Sequence, residues 1–392
     1  MNWIARHVAN AKKIVDLYQG EQPLHHFLQN YFKQNKHMGS KDRRSARALV
    51  YEYFRFGKAL NKLGFEERLA VSSLLCSPQV SEVYSYVFDV PQSTQILPLN
   101  KRIQFIHSRY AEFNILDVFP FGEHLSSSIN KLDYCLSITQ QPDVFVRVDE
   151  GFEKQFEKDC KENELTFSIA GLPGNCYRFP PATNLNWLND KSSKSKRTFA
   201  EIQDLSSQKT QDYFKIKKDE FWIDACAGAG GKSLLLKDLE PSVSILALDV
   251  RENILKNYEN RMENHGFSRY HCQKLEKNWE GFMPKELADG IIVDAPCSGS
   301  GTWSRTPEML HYFKEEQIET YHSLQVSLVK KTMEFLKEGK TLTYITCSVF
   351  AKENEEVVNK IISETSLKLD TSSYIKGYKD KADTMFVARF IL

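Results

Sequence analysis

The stretch DACAGAGGKS, residues 224–233, decides the fold. Its glycine-rich turn joins an apolar, strand-like segment at 221–223 to a helical pattern at 231–239. From about residue 220 to the end of the chain, short apolar segments such as 290–293 alternate with segments of helical periodicity. This alternation predicts an α/β fold with a doubly wound, Rossmann-like parallel sheet, in which ligands bind at the carboxyl ends of the strands.

Two further domains are predicted before this sheet. Residues 1–130 carry apolar side chains at helical spacing, which predicts an all-helical domain. Its clearest apolar stripe consists of Ala46, Leu49, Val50, Tyr53 and Phe54. Residues 131–209 contain a β-rich segment at 144–148, a charged helical segment and a second short strand, which predicts a small mixed α/β unit. The third domain, 210–392, contains the large sheet.

Composition and cysteine spacing exclude several classes of protein. The chain has 392 residues, of which 41% are hydrophobic, and no segment approaches the roughly 20 apolar residues that cross a bilayer. We therefore expect a cytoplasmic protein, acting as a monomer. The eight cysteines include no Cys-x-x-Cys pair, so we expect free thiols and neither a metal site nor a disulfide framework.

Charge alone does not identify a nucleic-acid partner, because the formal net charge is only +1. Basic residues do cluster locally, and each cluster is compatible with either an RNA-binding patch or an ordinary solvated face. The clusters are Lys41, Arg43, Arg44 and Arg47; Lys191, Lys194, Lys196 and Arg197; and Lys215, Lys217 and Lys218.

The glycine turn resembles two phosphate-binding motifs but completes neither. A P-loop requires glycine at position 226, which is cysteine, although the apolar strand ending at Asp294 keeps a nucleoside triphosphatase open as an alternative. The dinucleotide fingerprint requires glycine at position 233, which is serine. Asp249, which ends the second strand, suits a ribose in either a nicotinamide or an S-adenosylmethionine site.

S-adenosylmethionine explains the turn and both acids together. Its site needs an acid near the first strand for the ammonium group, a glycine turn for close backbone approach, and an acid after the second strand for ribose. Asp224, the turn 228–231 and Asp249 provide these features. Lys232, at the start of the following helix, could face the carboxylate of the cofactor.

Two cysteines at predicted strand ends indicate the reaction. Cys297 lies in DAPCSG after the fourth strand, and Cys347 lies in TCS after the fifth. Carbon 5 of a pyrimidine is a poor nucleophile, and addition of a thiolate to carbon 6 activates it toward a sulfonium methyl group. A lone cysteine is more often a core residue than a catalyst, but two at neighbouring strand ends favour this chemistry.

These motifs together resemble one family. DACAGAGGKS (224–233), ALDV (247–250), DAPCSGSGTWSRTPE (294–308) and TLTYITCSVFAKENEEVV (341–358) are similar to motifs of the RNA (cytosine-5) methyltransferases of the Sun/Fmu, or Nop2-like, family. The resemblance implies that Cys347 is the nucleophile, that Cys297 releases the methylated RNA, and that Asp294 hydrogen-bonds the cytosine. The residues implied to hold S-adenosylmethionine are Asp224, Cys226, Ala227, Gly228, Ala229, Gly230, Gly231, Lys232, Asp249 and Asp294.

The resemblance extends to the flanking segments. FAEIQD (199–204) and the following SSQ (206–208) are similar to the family's RNA-recognition-like extension. KDRRSARALVYEYFRFGKAL (41–60) resembles a helix of the NusB-like RNA-binding domain, and a purely structural helical domain is the alternative. A NusB-like domain would favour the bacterial 16S ribosomal RNA branch over transfer RNA. The segment with Arg305, Pro307 and Glu308 matches one that lines the RNA side in the family.

The chain departs from the family pattern at the third strand, which lacks the usual adenine-binding aspartate. Two alternatives follow: Glu276 makes the adenine contact in its place, or the contact is lost. Apart from the triphosphatase, one non-enzymatic alternative stays open: an RNA-binding ribosome assembly factor that keeps the fold without using the thiols.

Overall fold

The computed structural model describes residues 3–77, 81–91, 97–171, 175–189, 198–276, 279 and 281–392. The chain forms two compact units. The first contains residues 1–141 and 302–315, and the second contains residues 142–301 and 316–392. The basic cluster of Lys191, Lys194, Lys196 and Arg197 lies outside the described residues. The three predicted domain boundaries stay a prediction.

The first unit is helical, as its apolar periodicity predicts. Its first seven helices are α1 (Trp3–Leu17), α2 (Leu24–Gln34), α3 (Ser40–Arg55), α4 (Phe65–Cys76), α5 (Glu82–Phe88), α6 (Leu99–Arg109) and α7 (Lys131–Ile138). Four members of the predicted stripe on α3 are buried in the core, and Tyr53 is half-buried. The stripe therefore holds α3 against its neighbours by burial of its apolar face.

The segment 302–315, which the sequence assigns to the sheet domain, is part of this helical unit. It contains the short helix α12 (Met309–Tyr312). The backbone N–H of Leu24 donates to Glu308 Oε1 at 3.1 Å, and the Tyr312 hydroxyl donates to the Tyr18 carbonyl at 2.7 Å. Glu308 is only 2% exposed, so in this structure its side chain supports the helical unit and does not present a surface to RNA.

The second unit begins with a small sheet. Its elements are β1 (Val144–Val148), α8 (Glu153–Glu162), β2 (Ser168–Ile169), β3 (Cys176–Phe179), β4 (Ala200–Ile202) and α9 (Leu205–Lys209). The strands pair antiparallel in the order β2-β3-β1-β4. Phe156 of α8 packs on Val146 and Tyr177 in the core beneath this sheet, as the predicted mixed α/β unit requires.

The large sheet has seven strands in the order β10-β11-β9-β8-β5-β6-β7. The elements are β5 (Phe221–Asp224), α10 (Gly231–Leu239), β6 (Ser244–Asp249), α11 (Glu252–Asn264), β7 (Tyr270–Lys274), β8 (Ala288–Asp294), α13 (Gln317–Met333), β9 (Leu336–Thr346), α14 (Glu355–Glu364), β10 (Lys368–Lys376) and β11 (Thr384–Ile391). Strands β5 to β9 pair in parallel. The predicted Rossmann-like sheet is confirmed.

Burial on both faces explains why the central strands β5, β6 and β8 are apolar along most of their length. Trp222 and Ile223 are neighbours on β5 and enter separate cores on opposite faces of the sheet. A Cβ atom on Gly290 of β8 would lie 2.4 Å from the ring of Trp222, so only glycine fits beneath that ring. In the part of the chain that the structure describes, no helix combines the length and apolar character needed to cross a membrane.

Candidate active site

Four neighbouring parallel strands of the second unit end at one edge of the large sheet. Strands β5, β6 and β8 end at Asp224, Asp249 and Asp294, and β9 ends directly before Cys347. Strand β8 lies between β5 and β9 and is in register with both. The structure therefore brings the predicted cofactor residues and the predicted catalytic residues to the same edge, where ligands bind in open α/β sheets.

The glycine turn follows β5 and leads into α10. Gly228 and Gly230 have φ angles of +51° and +89°, in the left-handed region that favours glycine. A Cβ atom at Gly230 would also lie 2.8 Å from the Tyr258 ring, so glycine is required there on two grounds. The turn is held by the Ala227 N–H, which donates to the Leu248 carbonyl at 2.9 Å. Its backbone is thus available for close approach of a ligand.

Asp224 is a buried carboxyl with one oxygen engaged. Ser233 Oγ donates to its Oδ2 at 2.7 Å, whereas Oδ1 has no hydrogen-bond partner among the described residues. Burial raises the pKa of Asp224 to about 7, with the Asp294 and Asp249 charges adding to the effect and Ser233 and Lys232 opposing it. A buried acceptor without a partner is costly, and a cationic ligand group would satisfy it.

Asp249 is fully engaged by protein donors. Its Oδ2 accepts from the Gly228 N–H at 3.0 Å and from Arg251 Nη2 at 2.9 Å. Its Oδ1 accepts from the backbone N–H and the Nε of Arg251, both at 2.9 Å. Burial alone would raise the pKa of Asp249, but the bonds from Arg251 and Gly228 hold this pKa below its ordinary value. Arg251 was not predicted as a site residue.

Lys232 connects the turn to β8 and to the small-sheet region. Its ammonium group lies 3.0 Å from Asp294 Oδ2 and donates to Ser207 Oγ, also at 3.0 Å. The side chain of Lys232 is 7% exposed and that of Asp294 is 33% exposed, so the ammonium group is shielded from water while the carboxylate is partly open to it. Gln203 Nε2 donates to the Gly231 carbonyl at 3.1 Å. Ser207 and Gln203 therefore support the turn, a role that the sequence pattern did not reveal.

The two predicted catalytic thiols are in contact. Cys297 Sγ and Cys347 Sγ lie 3.3 Å apart, and both side chains are partly buried. The hydrogen bond with Cys347, burial, and the nearby charges of Cys347 and Glu353 hold the pKa of Cys297 well above its ordinary value.

Cys226 lies in the glycine turn, away from this pair. Burial and nearby acids raise the pKa of Cys226 far above the neutral range. Cys226 is thus an unreactive thiol beside the cofactor residues.

All eight cysteines are free thiols in this structure. Glu276 is exposed and follows Leu275, whose N–H donates to the Asp249 carbonyl at 3.0 Å. Its proposed contact with adenine stays a prediction.

A buried polar cluster beneath the thiols was also missed. Its members are Ser298, Gln325, Ser348, Glu353 and Asn354, each less than 9% exposed. The acidic sequence KENEE at 352–356 has the pattern of a solvent-facing helix start. Glu353 is buried only because the folded chain packs it against α13 and the cysteine turns, which the local sequence does not show.

Comparison with known proteins identifies the domain. Residues 212–390 match the family model described as 16S rRNA methyltransferase RsmB/F. A ribosomal RNA small subunit methyltransferase B from Shewanella oneidensis is 31% identical over 173 residues, 44% of this chain and 40% of that protein. A probable methyltransferase of the same name from Bacillus subtilis is 33% identical over 165 residues, 42% of this chain and 37% of that protein. The matches thus span about two fifths of these relatives.

Solved structures share the fold. The crystal structure of PH0851 aligns with a TM-score of 0.73 at 18% identity, covering 99% of this chain and 98% of that one. NSun6 from Pyrococcus horikoshii, crystallised with SFG, aligns with a TM-score of 0.61 at 15% identity, covering 69% of this chain and 96% of that one. The resemblance to Sun/Fmu methyltransferases is confirmed by the family match, which favours a methyltransferase over the triphosphatase alternative.

Proposed function

Because residues 212–390 belong to the RsmB/F methyltransferase family, we propose that this protein transfers a methyl group from S-adenosylmethionine to carbon 5 of a cytosine in ribosomal RNA. The observation that carries the proposal is the contact between Cys297 and Cys347, whose sulfurs lie 3.3 Å apart at the ends of neighbouring strands. Methylation of an exocyclic nitrogen would need neither thiol, because that nitrogen already carries a lone pair.

The residues at the strand ends fit the cofactor. The unpartnered Oδ1 of Asp224 can accept a hydrogen bond from the ammonium group of S-adenosylmethionine. The backbone of the turn 228–231 allows the cofactor to approach closely. Asp249 can accept from ribose hydroxyls once the Arg251 side chain moves aside, since protein donors already use its four acceptor positions. When bound, S-adenosylmethionine supplies an electrophilic methyl group on a sulfonium sulfur.

The thiols supply the covalent chemistry. The Cys347 thiolate adds to carbon 6 of cytosine, and the new S–C bond makes carbon 5 nucleophilic. S-adenosylmethionine, held by Asp224 and the turn 228–231, would supply the methyl group to this activated carbon. Carbon 5 then loses its proton to solvent water, its C–H electron pair re-forms the 5,6 double bond, and the S–C bond breaks with its electron pair returning to the Cys347 sulfur, which restores the aromatic ring. Cys297, in contact with that sulfur, assists this release.

The contact between the sulfurs supports this division of roles. Either sulfur can be the donor in it, so Cys297 can donate its S–H to the Cys347 sulfur. Asp294 can accept a hydrogen bond from the cytosine amino group, or from nitrogen 3 once that nitrogen is protonated as charge develops on the base. Its ion pair with Lys232 fixes the carboxylate before the base arrives. The target base must be unpaired or flipped out of a helix, because the thiolate approaches one face of the ring.

Ribosomal RNA is proposed as the substrate because the curated relatives are named ribosomal RNA small subunit methyltransferases. The proposed enzyme acts as a monomer, and its helical unit and small-sheet extension are proposed to bind the RNA.

The test is bisulfite sequencing of total RNA from cells with the gene, without it, and with only the Cys347→Ala form. We expect one or more ribosomal cytosines to lose methylation both without the gene and with the mutant. Methylation restored by Cys347→Ala would refute the covalent mechanism. Unchanged methylation without the gene, together with a ribosome assembly defect that Cys347→Ala corrects, would instead support the non-catalytic assembly factor.

A further inference from the structure

Glu353 is a buried acid close to both catalytic thiols but outside the residues to which we have given a role. It ends a short 3-10 turn, Ala351–Glu353, and its side chain is completely shielded from solvent. Burial of a carboxylate costs several kcal/mol unless hydrogen bonds compensate it. Its hydrogen-bond partners therefore indicate why it is there.

Three donors converge on the two oxygens of Glu353. Ser348 Oγ donates to Oε1 at 2.7 Å. The backbone N–H of Ser298 and the side-chain amide of Gln325 each donate to Oε2 at 2.9 Å. Three protein donors to one buried carboxylate make a rigid, charge-assisted junction.

These donors come from the two turns that carry the thiols. Ser298 directly follows Cys297, and Ser348 directly follows Cys347. Gln325, on α13, also donates to the carbonyl of Pro296 at 3.0 Å, so it holds the residue before Cys297 as well. One carboxylate therefore holds a residue beside each sulfur, Ser298 through its backbone N–H and Ser348 through its side-chain hydroxyl.

The next residue strengthens this attachment. Asn354 Nδ2 donates to the Ser348 carbonyl at 2.9 Å, and its Oδ1 accepts from Thr346 Oγ1 at 2.6 Å. The residues on either side of Cys347 are thus bound to one side chain. The Gly301 N–H donates to the Cys347 carbonyl at 2.8 Å, which adds a direct backbone bond between the two turns.

We propose that Glu353 is a positioning residue that sets the separation of the Cys297 and Cys347 sulfurs by anchoring both turns. Its consequence for catalysis rests on the cysteine-dependent methyl transfer proposed above. A displacement of about 1 Å at a reacting group can slow a reaction about 100-fold, so a residue that touches no substrate can still control the rate.

The test compares Glu353→Ala with Glu353→Gln. Alanine removes all three bonds. Glutamine keeps an oxygen for Ser298 and Gln325, and its amide can donate to Ser348 Oγ, whose own hydrogen can turn to Ser300 Oγ at 3.1 Å. Glu356→Ala is the matched control, because Glu356 is an exposed acid three residues away. Binding of S-adenosylhomocysteine verifies that the cofactor residues are intact in each variant.

The first readout is the separation of the sulfurs, measured without RNA. The oxidant diamide takes two protons and two electrons from the thiols, its N=N bond becomes a hydrazine, and an S–S bond joins the sulfurs. Mass spectrometry of the linked peptides gives the rate. We expect disulfide formation at least about tenfold slower in Glu353→Ala than in the wild type, and a rate close to the wild type in Glu353→Gln and Glu356→Ala.

The second readout is the single-turnover rate of RNA methylation, which we expect to fall about 100-fold in Glu353→Ala and to recover largely in Glu353→Gln. The proposal would be overturned if the disulfide and methylation rates of Glu353→Ala were both within threefold of the wild type. It would also be overturned if disulfide formation were slow but methylation normal.

If Glu353→Ala does not bind S-adenosylhomocysteine, Ser348→Ala replaces it, because this change removes one of the three bonds. The same criteria then apply, with smaller expected effects. Absence of methylation in the wild type would count against the proposed function. The rate of disulfide formation with diamide tests the positioning role of Glu353 separately, because it needs neither RNA nor methylation.

Discussion

Cys297 and Cys347 lie with their sulfurs 3.3 Å apart, although 50 residues separate them in the chain. The contact follows from the sheet, because the two cysteines extend from β8 and β9, which pair in parallel with Asp294 opposite Ile345. Both thiols face the same strand edge as the glycine turn. They are therefore close enough to act in succession on one base.

The ion pair between Lys232 and Asp294 gives the first prediction. Asp294→Asn keeps an amide oxygen but removes the carboxylate charge that would hold the amino group and a protonated ring nitrogen of the cytosine, so we expect the single-turnover methylation rate to fall about 10²- to 10³-fold. Asp289→Asn is the control, because Asp289 lies at the opposite end of β8 and pairs with Lys337. An Asp294→Asn rate within threefold of the wild type would remove Asp294 from the mechanism.

Asp224 predicts how cofactor binding depends on pH. Its pKa is raised to about 7 in the free protein, and an ammonium group binds only the ionised carboxyl. Affinity should therefore fall as pH decreases through 7, by about tenfold per pH unit, because a proton must then be displaced. Calorimetry with S-adenosylhomocysteine measures this. Asp224→Asn should bind S-adenosylhomocysteine weakly, with an affinity that does not depend on pH. If the affinity of the wild type does not change between pH 5 and pH 7, the assignment is contradicted.

The glycine turn predicts a stability difference. Gly230→Ala introduces both a left-handed alanine and a Cβ atom 2.8 Å from the Tyr258 ring. Gly151→Ala is the matched control, because Gly151 has φ +86° and open space around its Cβ position. We expect Gly230→Ala to lower the free energy of unfolding by about 1–3 kcal/mol more than the control, in chemical denaturation. If the two variants lose the same free energy of unfolding, the Tyr258 ring can move away from the added Cβ atom without an energetic penalty.

Arg251 occupies the acceptor positions that ribose would need on Asp249. Its side chain is 59% exposed, so its ion pair is worth less than about 1 kcal/mol. Arg251→Ala should therefore tighten binding of S-adenosylhomocysteine by up to about fivefold, as measured by calorimetry. Lys256→Ala, on the same helix, should leave binding unchanged. Tenfold weaker binding by Arg251→Ala would instead mean that the arginine contacts the cofactor.

Local sequence patterns were sufficient to predict the features that depend on neighbouring residues. Apolar strand segments, glycines at 228 and 230, and acids at the strand ends report the backbone path and the burial of each strand directly. They predicted the parallel sheet and the cysteine pair. They did not reveal β10, which pairs antiparallel with β11, because five of its nine residues are exposed and its pattern resembles a polar connection.

Features that depend on distant residues could not be predicted. Ser207 supports Lys232 across 25 positions, and Gln325 meets Glu353 across 28, so neither contact leaves a periodic signal. Glu308 stands in a motif of the sheet domain, yet its partner Leu24 is 284 residues away in the helical unit. Only the folded chain reveals which of the many polar residues in such motifs become buried.

The central claim is that the sulfur of Cys347 forms a transient bond to a cytosine. The most direct measurement starts from the Cys297→Ala protein, which is allowed to react with RNA and S-adenosylmethionine. The protein is then denatured and examined by mass spectrometry. Because Cys297 assists release, we expect a methylated cytosine linked to Cys347 to accumulate. A protein that methylates the RNA normally and carries no such linkage, or carries it on another residue, would contradict the account.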